Sequence, residues 1–276
     1  MLEKTVRMFN NNFETVLTDI PNLTFLDFDE EDVQIKTETT EVTGLDGVLM
    51  GASSFSPFKL TLRFFYRGLD TKDYNLLKQR LRGIIYRREP YYVVHSDMPG
   101  KKYAVVPVSN GITDVGDRYG TFEIEFSVYK GYSESLRETD KFSLSSGEWQ
   151  FEGGLLADDE IKYKHDSSSF KIFNGSSDTI NPIMRHYLKI TVKVDAPKGI
   201  TIKNNTTGDE FIYKVALSKS KPLILDGVHP IIDKKRVGVN TNYQWLTLAP
   251  GYNDIEILGE KISNPSVEFD FNFIYR

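Results

Sequence analysis

The side chains best suited to chemistry in this sequence are four histidines, His95, His165, His186 and His229, and a few clustered acids. A catalytic or metal-binding histidine works with partners held close by. These four are far apart in the chain and share no HxH or HxxxH arrangement. The run Asp29-Glu30-Glu31-Asp32 is contiguous, whereas a calcium loop alternates its ligands around a central glycine. It reads as a solvated turn ahead of a strand, and so does Asp158-Asp159-Glu160. Carboxylates are numerous enough to supply a glycosidase pair, but none is singled out. No nucleophile elbow, P-loop or dinucleotide fingerprint is present, and Gly44, Gly47 and Gly51 have the wrong spacing to cradle phosphate. Triplets such as Asn174-Gly175-Ser176 carry no information without a secretory route. The absence of cysteine excludes disulfides, thiol nucleophiles and Cys-ligated zinc. The expectation is a protein with no catalytic residue, no metal and no cofactor.

The bulk composition narrows the class further. A chain of 276 residues has the length of two domains. Its 18 Phe and 15 Tyr suit pleated, half-buried surfaces better than helices. Lack of cysteine fits folding in a reducing cytoplasm, or stability without staples. The first residues, MLEKTVRMFNNNFETV, lack the apolar core of a signal peptide, and no run reaches the ~18 apolar residues of a bilayer span. A soluble protein without membrane insertion is expected. A net charge of −5 argues against binding nucleic acid through its phosphates. The short basic clusters Arg80-Leu81-Arg82, Arg87-Arg88 and Lys234-Lys235-Arg236 read as solvated surface.

Around these residues the chain is built mostly of alternating runs. Phe58–Tyr66 places Phe58, Leu60, Leu62, Phe64 and Tyr66 on one face, with Lys59, Thr61 and Arg63 on the other. Thr121–Tyr129 repeats the pattern, and Val33–Thr39 and Tyr103–Val108 are two further strands. One segment breaks the rhythm: Tyr74, Leu77, Leu81 and Ile84, spaced by three and four, predict a helix over about 71–87. Asp70 or Thr71 can cap it, and Glu89-Pro90 stops it. Between Ser133 and Glu148 the pattern lapses into polar residues, which predicts a boundary between domains at 1–135 and 136–276. Beyond it His186–Val194, Glu210–Leu217 and Val267–Tyr275 alternate again. Short turns at Pro197-Lys198-Gly199, Thr207-Gly208-Asp209, Asp226-Gly227 and Pro250-Gly251 separate the strands there. Several antiparallel strands without a helix predict a β-sandwich.

The stretch from Thr37 to Pro57 stands apart. It has a β-branched entry arm, glycines at 44, 47 and 51, and an exit straight into the Phe58 strand. The pattern predicts a projecting hairpin, which cannot bury Leu45, Val48, Leu49, Met50 and Phe55 within its own domain. These five residues are the candidate contact with a neighbouring subunit; a mobile loop with scattered apolar residues is the alternative.

Four ordered motifs fill the second half: Asn174 and Gly175 with Pro182; Ile202-x-Asn204-x-x-Thr207-Gly208; Leu223-x-Leu225-Asp226; and Leu248-x-Pro250-Gly251-x-Asn253-x-Ile255. Together with the glycine-bearing hairpin, the single helix and the run Arg118–Phe126, this order resembles the distal tail protein family of phages with long, flexible, non-contractile tails. The resemblance implies a mainly β fold, with an N-terminal β-sheet domain and a C-terminal galectin-like β-sandwich. It implies a homo-hexameric ring at the tail tip, with the hairpin belting adjacent subunits. The implied partners are the tail tube protein, a tail-associated hub or lysin protein, and a receptor-binding protein docked on the outer domains. The second half has no long insertion of the kind that forms a gripping arm in some members. The expected location is the virion, after synthesis in the host cytoplasm. A carbohydrate-binding sandwich, using Trp149, Tyr163, Tyr243, Trp245 and Tyr252 as a stacking platform, is the competing reading. A tail-associated hydrolase comes third.

Overall fold

The computed structural model describes residues 4–114, 120–143, 148–149 and 161–276. The residue pairs Arg118-Tyr119 and the acidic run at 158–160 lie outside the described residues. The chain parts into two compact units: the first runs to Glu134 and also takes Arg276, and the second is Ser135–Tyr275.

The first unit contains nine strands and one helix: β1 (Val6–Asn10), β2 (Phe13–Val16), β3 (Leu23–Glu30), β4 (Ile35–Thr40), β5 (Leu49–Phe55), β6 (Phe58–Tyr66), α1 (Thr71–Ile85), β7 (Tyr91–His95), β8 (Lys101–Asp114) and β9 (Thr121–Val128). Seven of the strands form an antiparallel sheet in the order β2-β1-β7-β8-β9-β6-β3. Period-two alternation decides its faces. Phe58, Leu60, Leu62 and Phe64 of β6 and Phe122, Ile124, Phe126 and Val128 of β9 are all buried in one core. On the opposite face Arg63 bonds Glu123 at 2.6 Å and Asp27 at 3.0 Å, and Lys59 lies 3.4 Å from Glu125.

The helix α1 closes the core. Asp70 caps it by accepting the Asp73 N–H at 2.8 Å. Its buried residues are Tyr74, Leu77, Leu81 and Ile85. The fourth stripe position is therefore Ile85 and not Ile84, which is only partly buried. The helix also ends before the Glu89-Pro90 stop: Tyr86 leaves helical geometry, and the Tyr91 hydroxyl donates to the Ile85 carbonyl at 2.8 Å. Strand β8 runs past the expected Val108, with a register break between Pro107 and Ile112. Gly111 fits there because a Cβ would lie 2.8 Å from the Glu125 carbonyl.

A short strand, β10 (Ser133–Ser135), follows at the junction. The second unit holds β11 (Lys164–His165), β12 (Ser169–Asn174), β13 (Leu188–Asp195), β14 (Ile200–Asn204), β15 (Glu210–Tyr213), β16 (Leu223–Asp226), β17 (His229–Ile232), β18 (Lys235–Arg236), β19 (Gly251–Leu258), β20 (Ser263–Phe271) and β21 (Ile274–Tyr275). Two antiparallel sheets, ordered β11-β20-β13-β16-β17-β18 and β12-β19-β14-β15, make a β-sandwich. Ile190, Val192 and Phe269 from one sheet and Ile172, Ile202 and Ile257 from the other are all buried. The rings of Phe170 and Phe269 meet edge-on across the sandwich at 6.1 Å.

Candidate functional site

The most unusual feature of the first unit is β4–β5, a two-stranded ribbon that, among the described residues, pairs only with itself. Its base is fixed to the sheet. The Glu31 N–H donates to the Lys59 carbonyl, and the Lys59 N–H donates to Glu31 Oε2, both at 3.0 Å. The Ser56 N–H donates to the Gln34 carbonyl at 2.9 Å. Gly131, with φ +70°, lies so close that a Cβ would be 2.9 Å from the Ser56 carbonyl. At the tip, Gly44 and Gly47 adopt left-handed φ values of 90° and 80°, which glycine reaches without strain. A register shift between Thr37 and Thr39 is accommodated at Gly51, where a Cβ would crowd the Glu38 carbonyl at 3.0 Å.

Beyond its base the ribbon is left exposed by the described residues. Leu45, Leu49 and Met50 are 64 %, 58 % and 69 % exposed, and Val48 is also exposed. Ile35, at 65 %, and Val42 join them, although the hydrophobic pattern of the tip alone does not single them out. Phe55 departs from the expectation. It is half-buried at the base, with the Arg276 guanidinium 3.7 Å from its ring centroid. It anchors the ribbon and is not part of the exposed tip. A two-stranded ribbon alone in water is marginally stable at best, and its free edges and apolar side chains invite pairing.

The groups capable of chemistry do not converge. His95 is 1 % exposed, stacked on Tyr103 at 5.6 Å and packed at a tilt against Phe28 at 4.2 Å. Neither of its ring nitrogens has a hydrogen-bond partner among the described residues. Burial pushes its pKa down to about 4, so it is a neutral core residue at neutral pH. His165 stacks on Phe170 and its Nε2 lies 2.9 Å from the Lys162 carbonyl. His186 Nδ1 is 3.1 Å from both the Asn181 amide and the Thr179 carbonyl. In the run 29–32, Glu30 accepts the Tyr103 hydroxyl at 3.0 Å while Glu31 holds the ribbon base, so these acids are structural and more than a solvated turn.

One acidic cluster was not legible in the sequence. Carboxylate oxygens of Glu138, Asp140 and Asp270 lie within 4.8 Å of one another. Burial, and then the neighbouring Glu138 and Asp140, raise the Asp270 pKa, against the Tyr187 hydroxyl donating to Oδ2 at 2.9 Å. Carboxylates are the ligand type of hard cations such as calcium and magnesium.

The motif asparagines have a shared structural role. Asn174 Nδ2 donates to the Leu248 carbonyl at 2.9 Å, and Asn204 Nδ2 donates to the Thr247 carbonyl at 2.7 Å. Asn204 Nδ2 also reaches Asn253 Oδ1 at 3.0 Å, which accepts the Ala249 N–H at 2.9 Å as well. Three separate motifs thus fasten the loop ahead of β19 with buried amides.

The five aromatic residues of the proposed stacking platform are not one group. Trp149 and Tyr163 are buried, both in ring contact with the Phe142, Phe271 and Phe273 cluster. Tyr252 packs edge-on against Phe173 at 5.1 Å. Tyr243 and Trp245 alone line a common cleft.

Residues 12–128 match the family of the phage tail protein RIFT-related domain. No curated protein matches the sequence. Among solved structures, the Dit protein of phage SPP1 is described as a paradigm of the hub adsorption apparatus in phages infecting Gram-positive hosts. It is 11 % identical with a TM-score of 0.67, covering 98 % of this chain and 99 % of that one. A chain from the phage p2 baseplate in its activated conformation with strontium is 10 % identical, covering 98 % of this chain and 97 % of that one. Its TM-score of 0.39 is too low to bear on the fold.

Proposed function

We propose that this chain, with its phage tail RIFT-related domain at residues 12–128 and the SPP1 Dit fold along its length, is a structural component of a siphophage tail tip. In this reading six copies close into a ring that joins the tail tube to the host-adsorption apparatus. The first unit makes the ring and the second faces outward. The exposed β4–β5 ribbon carries the argument. Leu45, Val48, Leu49 and Met50 are exposed apolar side chains that the described residues of their own unit leave largely uncovered. In a head-to-tail ring each subunit offers one such ribbon and receives another, so every ribbon is buried once the ring closes. The tail tube protein and a hub protein are the natural ring neighbours, and a receptor-binding protein is the natural partner of the outer units. The protein acts by assembly and not by catalysis.

The test is the mass in solution, by light scattering across concentration, of the chain alone and co-expressed with its tail tube and hub proteins. Electron microscopy of the same samples reads the symmetry. Six-fold rings in either sample support the proposal. Monomers in both, or a closed ring of another order, overturn the hexamer.

A further inference from the structure

The second unit carries a cleft lined by residues of its own loops and strand edges. It has a volume of about 150 Å³ and is walled by Tyr243, Trp245, His229, Arg236, Gln244 and Phe211. We propose that it binds one sugar ring carrying a carboxylate or phosphate group. The proposal rests on the second unit alone and stands or falls independently of the ring.

The walls are built rather than incidental. Asn242 straps the loop to the edge of β15: its Oδ1 accepts the Ile212 N–H at 3.0 Å and its Nδ2 donates to the Glu210 carbonyl at 2.8 Å. The next residue, Tyr243, has a left-handed φ of 56° and is 60 % exposed. A bulky aromatic residue is held in that conformation at some cost, and such strain gathers at ligand clamps. The Thr241 hydroxyl secures it, accepting the Tyr243 N–H at 3.1 Å while donating to the Gly238 carbonyl at 2.8 Å. Trp245 donates its indole N–H to the Val228 carbonyl at 3.2 Å, which satisfies its polar edge and leaves the half-buried ring to the cleft.

The lining chemistry selects the ligand. Aromatic faces suit the apolar C–H face of a pyranose, and a few fixed polar groups orient it. No carboxylate lines this cleft, whereas Arg236 and His229 do. Arg236 is exposed and has no acidic partner among the described residues. Asp233, close to it in sequence, is engaged by Lys221 at 2.8 Å. A guanidinium without an acidic partner among the described residues, lining the same cleft as two aromatic rings, favours a ring-shaped anion over a neutral one. The cleft is below the roughly 300 Å³ at which drug-sized sites begin, which limits it to about one ring.

The chain has two tryptophans, so Trp149→Phe leaves Trp245 as the sole indole reporter. Its fluorescence is titrated with glucose 6-phosphate and with glucuronate, using glucose and inorganic phosphate as controls. Saturation-transfer NMR on the unmodified protein gives the same comparison if that variant does not fold. The expected result is saturable binding of an anionic sugar, at least about tenfold weaker in Arg236→Gln and in Tyr243→Ala, both at exposed positions with melting temperatures preserved. Equal affinity for glucose removes the anion requirement, and equal affinity for inorganic phosphate removes the ring requirement. Either result, or no response to both anionic sugars, overturns the proposal.

Discussion

Replacing Leu45–Met50 by a short Gly-Ser turn removes the apolar tip of the ribbon and little else. Leu45, Val48, Leu49 and Met50 are 64 %, 46 %, 58 % and 69 % exposed, so a neighbouring subunit has roughly half to two thirds of each side chain to cover. Full burial of such a side chain contributes about 1.5–3 kcal/mol, which leaves about 1–2 kcal/mol each and about 4–7 kcal/mol per ribbon. Ordering the tip on binding offsets part of this, and a net of about 3 kcal/mol corresponds to about a hundredfold in each subunit contact. The base remains, because the Glu31–Lys59 bonds and the Phe55–Arg276 contact lie outside the replaced segment. The variant is therefore expected to be a folded monomer at concentrations where the parent assembles, with a melting temperature within about 3 °C of the parent. Light scattering and thermal melting followed by circular dichroism measure the two quantities. Closed rings from the shortened chain would refute the belt. A melting temperature lower by 10 °C or so would instead show that the tip belongs to the fold.

Three further outcomes follow from the buried polar groups. His95 has a pKa of about 4 in the folded chain against 6.5 unfolded, so its stabilisation is present above pH 6.5 and is lost as pH falls toward 4. That difference is about 3 kcal/mol, and His95→Phe should flatten the loss in acid melts; an unchanged pH slope would remove His95 as the cause. Asn253→Ala takes away the acceptor of the Ala249 N–H and the donor to the Ala249 carbonyl, while Asn204 Nδ2 keeps the Thr247 carbonyl, and urea denaturation should show a loss of about 3 kcal/mol. A loss below about 1 kcal/mol would mean that water replaces the amide. Asp270 has a raised pKa, so its penalty is absent below the unfolded value of 3.8 and grows as pH rises through the folded value. Asp270→Asn should raise the melting temperature at pH 7 and leave it unchanged near pH 3; destabilisation at both pH values would contradict this.

Alternation along the chain was enough to identify β6 and β9 and the faces they bury, because side-chain direction in a strand follows from sequence position alone. The spacing of apolar residues and the Asp70 cap likewise identified α1. The glycines at 44 and 47 marked the ribbon tip, since left-handed turns favour residues without a Cβ. What covers a face is a different question, and no local pattern answers it. Phe55 has the same apolar character as Leu49 and Met50, yet only the fold brings Arg276 over its ring. Trp149 and Trp245 are the same residue type, and only packing sends one into the aromatic core and the other to the wall of a cleft. Asn174, Asn204 and Asn253 stand in separate motifs, and their common task becomes visible when three strands meet at one loop. The sequence determined which elements form and which of their faces are apolar, through interactions a few residues long. The tertiary structure decided which of those faces are buried, because that depends on contacts between residues far apart in the chain.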